Sequence, residues 1–140
     1  MIPSKFDYTR PDSVPAAVSA LASGGEDAKV IAGGQSLIPL LRLRLAYPEL
    51  LVDVGALDEL RGVRDDGDSL WIGALTSHDE VTQNPLIAQH CGLLAEAAGT
   101  VADPAVRHRG TLGGSIAHAD PAGDLPAVVT ALDASLTATG

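Results

Sequence analysis

The sequence predicts a mixed fold of helices and short strands, and two kinds of segment lead to this prediction. Asp12 or Ser13 is suited to cap a helix with Pro15 in its first turn, and apolar residues follow at helical spacing. Short apolar runs at residues 28–32 and 50–54 instead indicate strands. The 15 glycines and 9 prolines in 140 residues indicate many tight turns between these elements.

The middle of the chain continues the alternation of strands and helices. The acidic turn at residues 65–68 predicts a β-hairpin with arms at Val63 and residues 69–72. Ser77 and Glu80 form an S-x-x-E capping box, which predicts a short helix after it.

The second half of the chain is predicted to be mainly helical. Asn84 and Pro85 are a cap and a first helical residue, and one apolar helical face continues from there to Ala97. A further helix is predicted from Asp124. Residues 134–139 alternate in polarity, which predicts the start of a strand.

The composition argues against several classes of function. The chain has 18 acidic residues against 9 Lys and Arg, a net charge of −9, which disfavours binding to a nucleic-acid backbone. No apolar run reaches the roughly 20 residues that span a bilayer, and the first residues lack the apolar core of a signal peptide, so we expect a cytoplasmic protein. Cys91 is the only cysteine, so this chain by itself cannot ligate an iron–sulfur cluster or build a cysteine zinc site.

The first glycine-rich loop is Ala32-Gly33-Gly34-Gln35-Ser36, which lies between a predicted strand and one or two predicted helical turns. Paired glycines permit positive φ angles and allow a ligand to approach the backbone. Successive N–H groups in such a turn converge on an anion, and a hydroxyl or an amide side chain adds a donor. The chemistry suits a phosphate or pyrophosphate, although the motif alone is more often a plain tight turn.

The second glycine-rich loop, Thr111-Leu112-Gly113-Gly114-Ser115, repeats the pattern of two glycines followed by serine. Two such loops in one domain favour a diphosphate ligand. Its binding would depend on nearby hydrogen-bond donors, because the net negative charge of the chain repels it. Neither loop has the lysine of a Walker motif, and neither fits the dinucleotide fingerprint with an acidic residue about 20 positions later.

Four segments together resemble the FAD-binding medium subunit of the molybdenum hydroxylases. In order, they are AGGQSLIPLLRLRL, LLVDVGAL, WIGALTSH and RHRGTLGGSIAHADPAGDLPAV. The resemblance covers the chain from Ile2 onward and is greatest to the medium subunits of aerobic carbon monoxide dehydrogenase and the FAD subunits of xanthine dehydrogenase. It implies an α+β, two-lobed FAD-binding domain of the p-cresol methylhydroxylase (PCMH) and vanillyl-alcohol oxidase type. The expected lobes are residues 1–57 and 58–140, the second incomplete because the chain is expected to be truncated at its C-terminus.

The resemblance also implies which residues contact FAD. The first loop would wrap the pyrophosphate and the second would close on it, with FAD between the lobes. Apolar contacts would come from the residues flanking the first loop, Ala117 would lie near the isoalloxazine, and Asp124 would bind the polyol or nucleotide end. The expected set is Ile31, Ala32, Gly33, Gly34, Gln35, Ser36, Leu37, Thr76, Thr111, Leu112, Gly113, Gly114, Ser115, Ala117 and Asp124. No catalytic side chain and no metal ligand is expected.

The function implied by the resemblance is electron transfer by a flavoprotein oxidoreductase subunit. A molybdenum-cofactor large subunit would oxidise the substrate, and electrons would pass through a [2Fe-2S] small subunit to FAD and then to a quinone or NAD. The alternative is a truncated, non-catalytic assembly module that docks to partner subunits without retaining FAD. Neither a nucleic-acid partner nor a transmembrane segment is expected.

Overall fold

The computed structural model describes residues 2–140, which form two compact units. We call residues 2–58 with 138–140 the first unit and Glu59–Thr137 the second unit. Each unit has its own sheet.

The first unit is a three-stranded parallel sheet with two helices. Its elements are β1 (Asp7–Thr9), α1 (Val14–Gly24), a 3-10 turn (Gly25–Asp27), β2 (Ala28–Ile31), α2 (Leu37–Arg42) and β3 (Leu50–Asp53). The strand order is β1-β3-β2, with Thr9 opposite Val52 and Ile31 opposite Asp53. Because all three strands are parallel, their carboxyl ends meet at one edge of the sheet, and the first glycine loop leaves β2 at this edge.

Helix α1 begins and ends as its capping residues predict. The Ser13 hydroxyl accepts a hydrogen bond from the N–H of Ala16 at 3.4 Å, and Pro15 occupies the first turn. Gly25 ends the helix at a φ of +61°, a conformation that a residue with a side chain rarely adopts.

The second unit is a hairpin packed with six short helices. Its elements are β4 (Val63–Asp65), β5 (Leu70–Ile72), α3 (His78–Gln83), α4 (Pro85–His90), α5 (Gly92–Thr100), α6 (Pro104–Arg107), α7 (Leu112–His118) and α8 (Asp124–Ala131), and the 3-10 turn Asp58–Leu60 precedes them. Its core is one apolar cluster of buried residues from α3, α4, α5, α7 and α8: Val81, Ile87, Leu94, Ala95, Ala98, Leu112 and Leu125.

The hairpin and the capping box are present as predicted. β4 and β5 pair antiparallel with Val63 opposite Ile72, and the Asp65 carboxylate accepts the N–H of Gly67 at 2.8 Å within the turn. In the capping box, the Ser77 hydroxyl accepts the N–H of Glu80 at 3.1 Å while the Glu80 carboxylate accepts the N–H of Ser77 at 2.7 Å.

Three predictions of secondary structure were wrong. The second glycine-rich segment, predicted as a loop, is the cap and the first turn of α7. The single helix expected up to Ala97 is two helices, because Cys91 has a φ of −146° and Gly92, a poor helix former, follows it. Residues 134–139 form no strand. Alternating polarity stabilises a strand only when it pairs with another strand, and within residues 2–140 this segment pairs with none.

Among residues 2–140, no helix is long and apolar enough to cross a membrane.

The core of the second unit gives a stability prediction. Ile87 is fully buried in the apolar cluster, so Ile87→Ala is expected to lower the free energy of unfolding by about 2–5 kcal/mol through lost contacts and a residual cavity. Leu93 is 49% exposed, and Leu93→Ala is the control with an expected change within about 0.5 kcal/mol. Urea denaturation followed by circular dichroism measures both, and equal losses would contradict this placement of the core.

Candidate functional site

The first glycine loop makes a tight turn between β2 and α2. Gly34 has a φ of +73°, and its carbonyl accepts the N–H of Ile38 at 2.9 Å. The Gln35 side chain folds back and donates to the Gly33 carbonyl at 3.0 Å. The left-handed conformation of Gly34 and the hydrogen bond from the Gln35 side chain therefore stabilise this turn.

The N–H groups of this loop have no acceptor among residues 2–140. The consecutive N–H groups of residues 33–37 donate no hydrogen bond to any residue in the range 2–140, although the loop is half-buried apart from the exposed Ser36. Backbone donors that are partly withdrawn from water are nearly always satisfied in folded proteins. A row of unused donors at a glycine turn is therefore suited to an anionic ligand such as a phosphate.

A small polar network lies at the same edge of the sheet. The Asp53 carboxylate accepts hydrogen bonds from the Tyr8 hydroxyl and, at 2.8 Å, from the N–H of Gly55, and Arg10 lies 3.8 Å from it. Asp53 is opposite Ile31, the last residue of β2 before the loop. The hydrogen bond to Asp53 raises the pKa of the Tyr8 phenol, which therefore stays neutral. Sequence reasoning missed this network because only the strand order brings its members together.

The second glycine loop uses its backbone differently. Thr111 caps α7 by accepting the N–H of Gly114 on its hydroxyl at 3.1 Å, and its carbonyl accepts the N–H of Ser115 at 3.0 Å. The N–H of Leu112 donates to the Thr76 carbonyl at 2.9 Å, and the N–H of Gly113 donates to a carbonyl at residue 74 at the same distance. The N–H groups of residues 112–115 are thus used by the fold, which leaves the hydroxyls of Thr111 and Ser115 as possible donors to a ligand. Thr111 is buried and Ser115 is half-buried, so the Ser115 hydroxyl is the more accessible of the two.

Packing alone requires both glycines of the second loop. A Cβ at Gly113 would lie 2.5 Å from the Cβ of Ala74, and a Cβ at Gly114 would lie 2.7 Å from the Thr111 hydroxyl oxygen. α7 therefore approaches the segment that follows the hairpin closely because Gly113 has no side chain, and Gly114 leaves room for the Thr111 cap. A substitution at Gly114 would test the helix cap rather than the approach of a ligand.

The remaining predicted site residues lie around these loops. Thr76 is buried, and its hydroxyl donates to the Gly62 carbonyl at 3.3 Å, so its visible role is to hold the segment before α3. Ala117 is exposed near the end of α7, and Asp124 is exposed in the first turn of α8. The structure brings Thr76 into direct contact with the second loop, whereas Ala117 and Asp124 lie one turn or more further along the chain.

His78 is a buried polar residue at this site that sequence reasoning missed. Its ring is 3% exposed, its Nε2 lies 3.3 Å from the Ser115 hydroxyl, and its Nδ1 has no partner in the part of the chain that the structure describes. A Cβ at Gly110 would lie 2.8 Å from the ring, so that glycine makes room for it. Burial lowers the pKa of the His78 imidazole, which is therefore neutral at pH 7. The only sequence signal was its place after the capping serine, which gives no hint of burial.

Comparison with known proteins identifies the family. Residues 4–140 match the family described as the FAD binding domain in molybdopterin dehydrogenase. The 6-hydroxypseudooxynicotine dehydrogenase complex subunit alpha of Paenarthrobacter nicotinovorans is 51% identical over 138 residues, 99% of this chain and 47% of that protein. The carbon monoxide dehydrogenase medium chain of Hydrogenophaga pseudoflava is 46% identical over 140 residues, 100% of this chain and 49% of that protein.

Solved structures of related enzymes share the fold. Carbon monoxide dehydrogenase from Hydrogenophaga pseudoflava matches with a TM-score of 0.90 at 49% identity, over 91% of this chain and 45% of that chain. Quinoline 2-oxidoreductase from Pseudomonas putida 86 matches with a TM-score of 0.86 at 41% identity, over 90% of this chain and 44% of that chain.

This chain belongs to the family of FAD-binding domains found in molybdopterin dehydrogenases. The predicted family, the α+β FAD-binding fold and FAD as the cofactor are thereby confirmed. The chain spans about half the length of the curated relatives it matches.

The buried imidazole of His78 predicts a pH dependence of stability. In the unfolded chain this group titrates near its ordinary pKa of about 6.5, whereas in the folded chain it takes up a proton only at lower pH. Below about pH 6.5 the unfolded state therefore binds more protons, and the free energy of unfolding falls as the pH falls.

We expect the wild-type chain to lose more stability than His78→Gln when urea denaturation is repeated from about pH 7.5 down to about pH 5.5. The other three histidines are common to both chains, so the difference isolates His78. Equal losses would show that the ring is not held neutral by burial.

Proposed function

We propose that this chain binds the pyrophosphate of FAD through the unused N–H groups of residues 33–37. The observation that carries the proposal is that these consecutive donors find no acceptor within residues 2–140, at a turn that Gly34 makes possible. These N–H groups would donate to phosphate oxygens, and such hydrogen bonds to a charged group are stronger than neutral ones. FAD supplies the redox chemistry when bound, and the protein binds and orients it.

The charge of the chain makes local donors necessary. A net charge of −9 opposes the approach of a dianionic pyrophosphate, and Asp53 lies at the same sheet edge as the loop. Tyr8 donates to the Asp53 carboxylate and Arg10 pairs with it, which reduces its repulsion of a phosphate. The loop then attracts the ligand through hydrogen bonds rather than through the overall field.

We extend the proposal to the whole predicted contact set and to the two lobes at residues 1–57 and 58–140. In the second loop, the used N–H groups leave the Ser115 hydroxyl as the phosphate donor. Ile31 and Leu37 are half-buried beside the first loop and offer apolar contacts. The exposed Asp124 carboxylate accepts hydrogen bonds from hydroxyls of the cofactor.

The proposed role of the protein is that of an electron-transfer subunit in a cytoplasmic molybdenum hydroxylase. Relatives are named as the medium chain or a subunit of dehydrogenases and of a hydroxylase, which supports assembly into a complex. We propose a molybdenum-cofactor large subunit and a [2Fe-2S] small subunit as partners. Electrons would reach an external acceptor, a quinone or NAD, by way of bound FAD.

The alternative is an assembly module that docks to partner subunits without retaining FAD. The observation that favours it is a group of exposed apolar side chains at and after the end of α2: Leu43 is 58% exposed, Leu45 68% and Tyr47 64%. Exposed apolar residues this close in sequence are typical of surfaces that another protein covers.

A visible absorption spectrum distinguishes the two functions. The chain is incubated with FAD, freed of unbound cofactor by gel filtration and scanned for the flavin bands, with heat-denatured chain as the control. Retained flavin at about one equivalent is the result expected from a single site. A folded chain that elutes without flavin would overturn FAD binding by this chain and favour the assembly module.

Gly34→Ala tests the loop against a matched control, Gly67→Ala. Both residues have positive φ angles, +73° and +88°, so both substitutions add similar backbone strain of about 1–2 kcal/mol. A Cβ at Gly34 also enters the loop, 2.6 Å from the Ile38 side chain, whereas a Cβ at Gly67 meets nothing within 4 Å.

We expect Gly34→Ala to raise the dissociation constant for FAD about tenfold or more, a loss of about 1.4 kcal/mol or more. Gly67→Ala should bind FAD as the wild type does, and quenching of flavin fluorescence measures both constants. If the two variants lose affinity equally, the loop at Gly34 is not in contact with the cofactor.

A further inference from the structure

The hydroxyl of Ser115 differs from those of three other residues within helices of this chain. Ser23, Thr82 and Thr130 each donate to the carbonyl four residues earlier, at 2.8–2.9 Å. This is a common hydrogen bond of a serine or threonine inside a helix. Ser115 makes no such bond to the Thr111 carbonyl, and within the described part of the chain its hydroxyl contacts only Nε2 of His78, at 3.3 Å.

The His78 ring is fixed in the position that makes this contact. His78 is the first residue of α3, its N–H donates to the Gly110 carbonyl at 3.0 Å, and its carbonyl accepts the Thr82 hydroxyl. The missing side chain of Gly110 leaves the space that the ring fills, since a Cβ there would lie 2.9 Å from Nε2. The backbone of His78 is therefore held next to Gly110, and the ring occupies the space that a side chain at Gly110 would fill.

The unpartnered nitrogen of the ring indicates where its proton lies. A neutral imidazole has one N–H, on Nδ1 or on Nε2. Nδ1 is buried and has no partner among residues 2–140, and among backbone groups an unpaired buried N–H is rarer than an under-satisfied acceptor. The same preference favours the tautomer with hydrogen on Nε2, whose N–H would donate to the Ser115 oxygen. The hydroxyl hydrogen of Ser115 is then left without an acceptor among residues 2–140.

We propose that His78 is a positioning residue: its Nε2–H donates to the Ser115 oxygen, keeps that hydroxyl off its own helix, and directs the hydroxyl hydrogen to a phosphate oxygen of FAD. This inference rests on the proposed function, in which the second loop contacts the cofactor. His78 itself need not touch FAD. Its effect on the cofactor would pass entirely through Ser115.

The tautomer is measured first, on the FAD-free chain with ¹⁵N-labelled histidine. Long-range ¹H–¹⁵N correlation spectra distinguish the two neutral forms and the cation of the His78 ring, which is assigned from the loss of its signals in His78→Gln. We expect the form with hydrogen on Nε2. A hydrogen on Nδ1 would overturn the proposal, because Nε2 would then accept the Ser115 hydrogen.

The coupling of the two side chains is measured by FAD affinity. The variants are Ser115→Ala, His78→Leu, the double variant, and His78→Gln, whose side-chain amide keeps an N–H donor at the same distance from the backbone. We expect Ser115→Ala and His78→Leu each to weaken FAD binding roughly tenfold, the double variant to be no weaker than either, and His78→Gln to stay within about threefold of wild type.

The outcomes separate this proposal from the proposed function. If His78→Leu weakens binding by the same factor with and without Ser115, or if Ser115→Ala has no effect, the positioning role is overturned although the chain binds FAD. If the wild-type chain binds no FAD, the proposed function fails first. Circular dichroism shows which variants are folded, and should His78→Leu not fold, the tautomer and the Gln and Ser115 variants decide.

Discussion

The position of α7 depends on two backbone hydrogen bonds, from Leu112 and Gly113 to the carbonyls of Thr76 and Ala74. They are possible only because Gly113 has no side chain where α7 passes Ala74 at van der Waals distance. With them, the first turn of α7 is fixed against the segment that follows the hairpin. The same bonds use the N–H groups that the sequence pattern suggests for a phosphate, so the structural and ligand-binding roles of this loop compete for the same atoms.

The two glycine loops therefore have similar sequences but use their backbone N–H groups differently. The first loop follows a parallel strand and leads into a short helix, and its backbone donors remain available. The second loop is part of an interface between elements, and its backbone donors are used. Paired glycines with a serine close behind them thus indicate a need for close backbone approach, either by a ligand or by another segment of the protein. Only the partners of each N–H distinguish the two cases.

Local features were predictable from the sequence, whereas features that depend on distant contacts were not. The Ser77 capping box and the acidic hairpin turn were predicted correctly, because each is determined by residues within four positions of one another. The break at Cys91 was missed because the apolar pattern continues in phase across it. The network around Asp53 and the burial of His78 follow from strand order and helix packing, which no local pattern contains.

The hydrogen bonding of the second loop accounts for the lack of a partner at Nδ1 of His78 among residues 2–140. With residues 112–115 using their N–H groups internally, a ligand at this loop depends on a hydroxyl donor. A serine inside a helix can donate that hydrogen to its own helix. A contact that holds the Ser115 oxygen beside the His78 ring would keep the hydroxyl away from the Thr111 carbonyl and leave its hydrogen for a ligand. The buried imidazole makes this contact with one nitrogen, and its other nitrogen has no partner among residues 2–140.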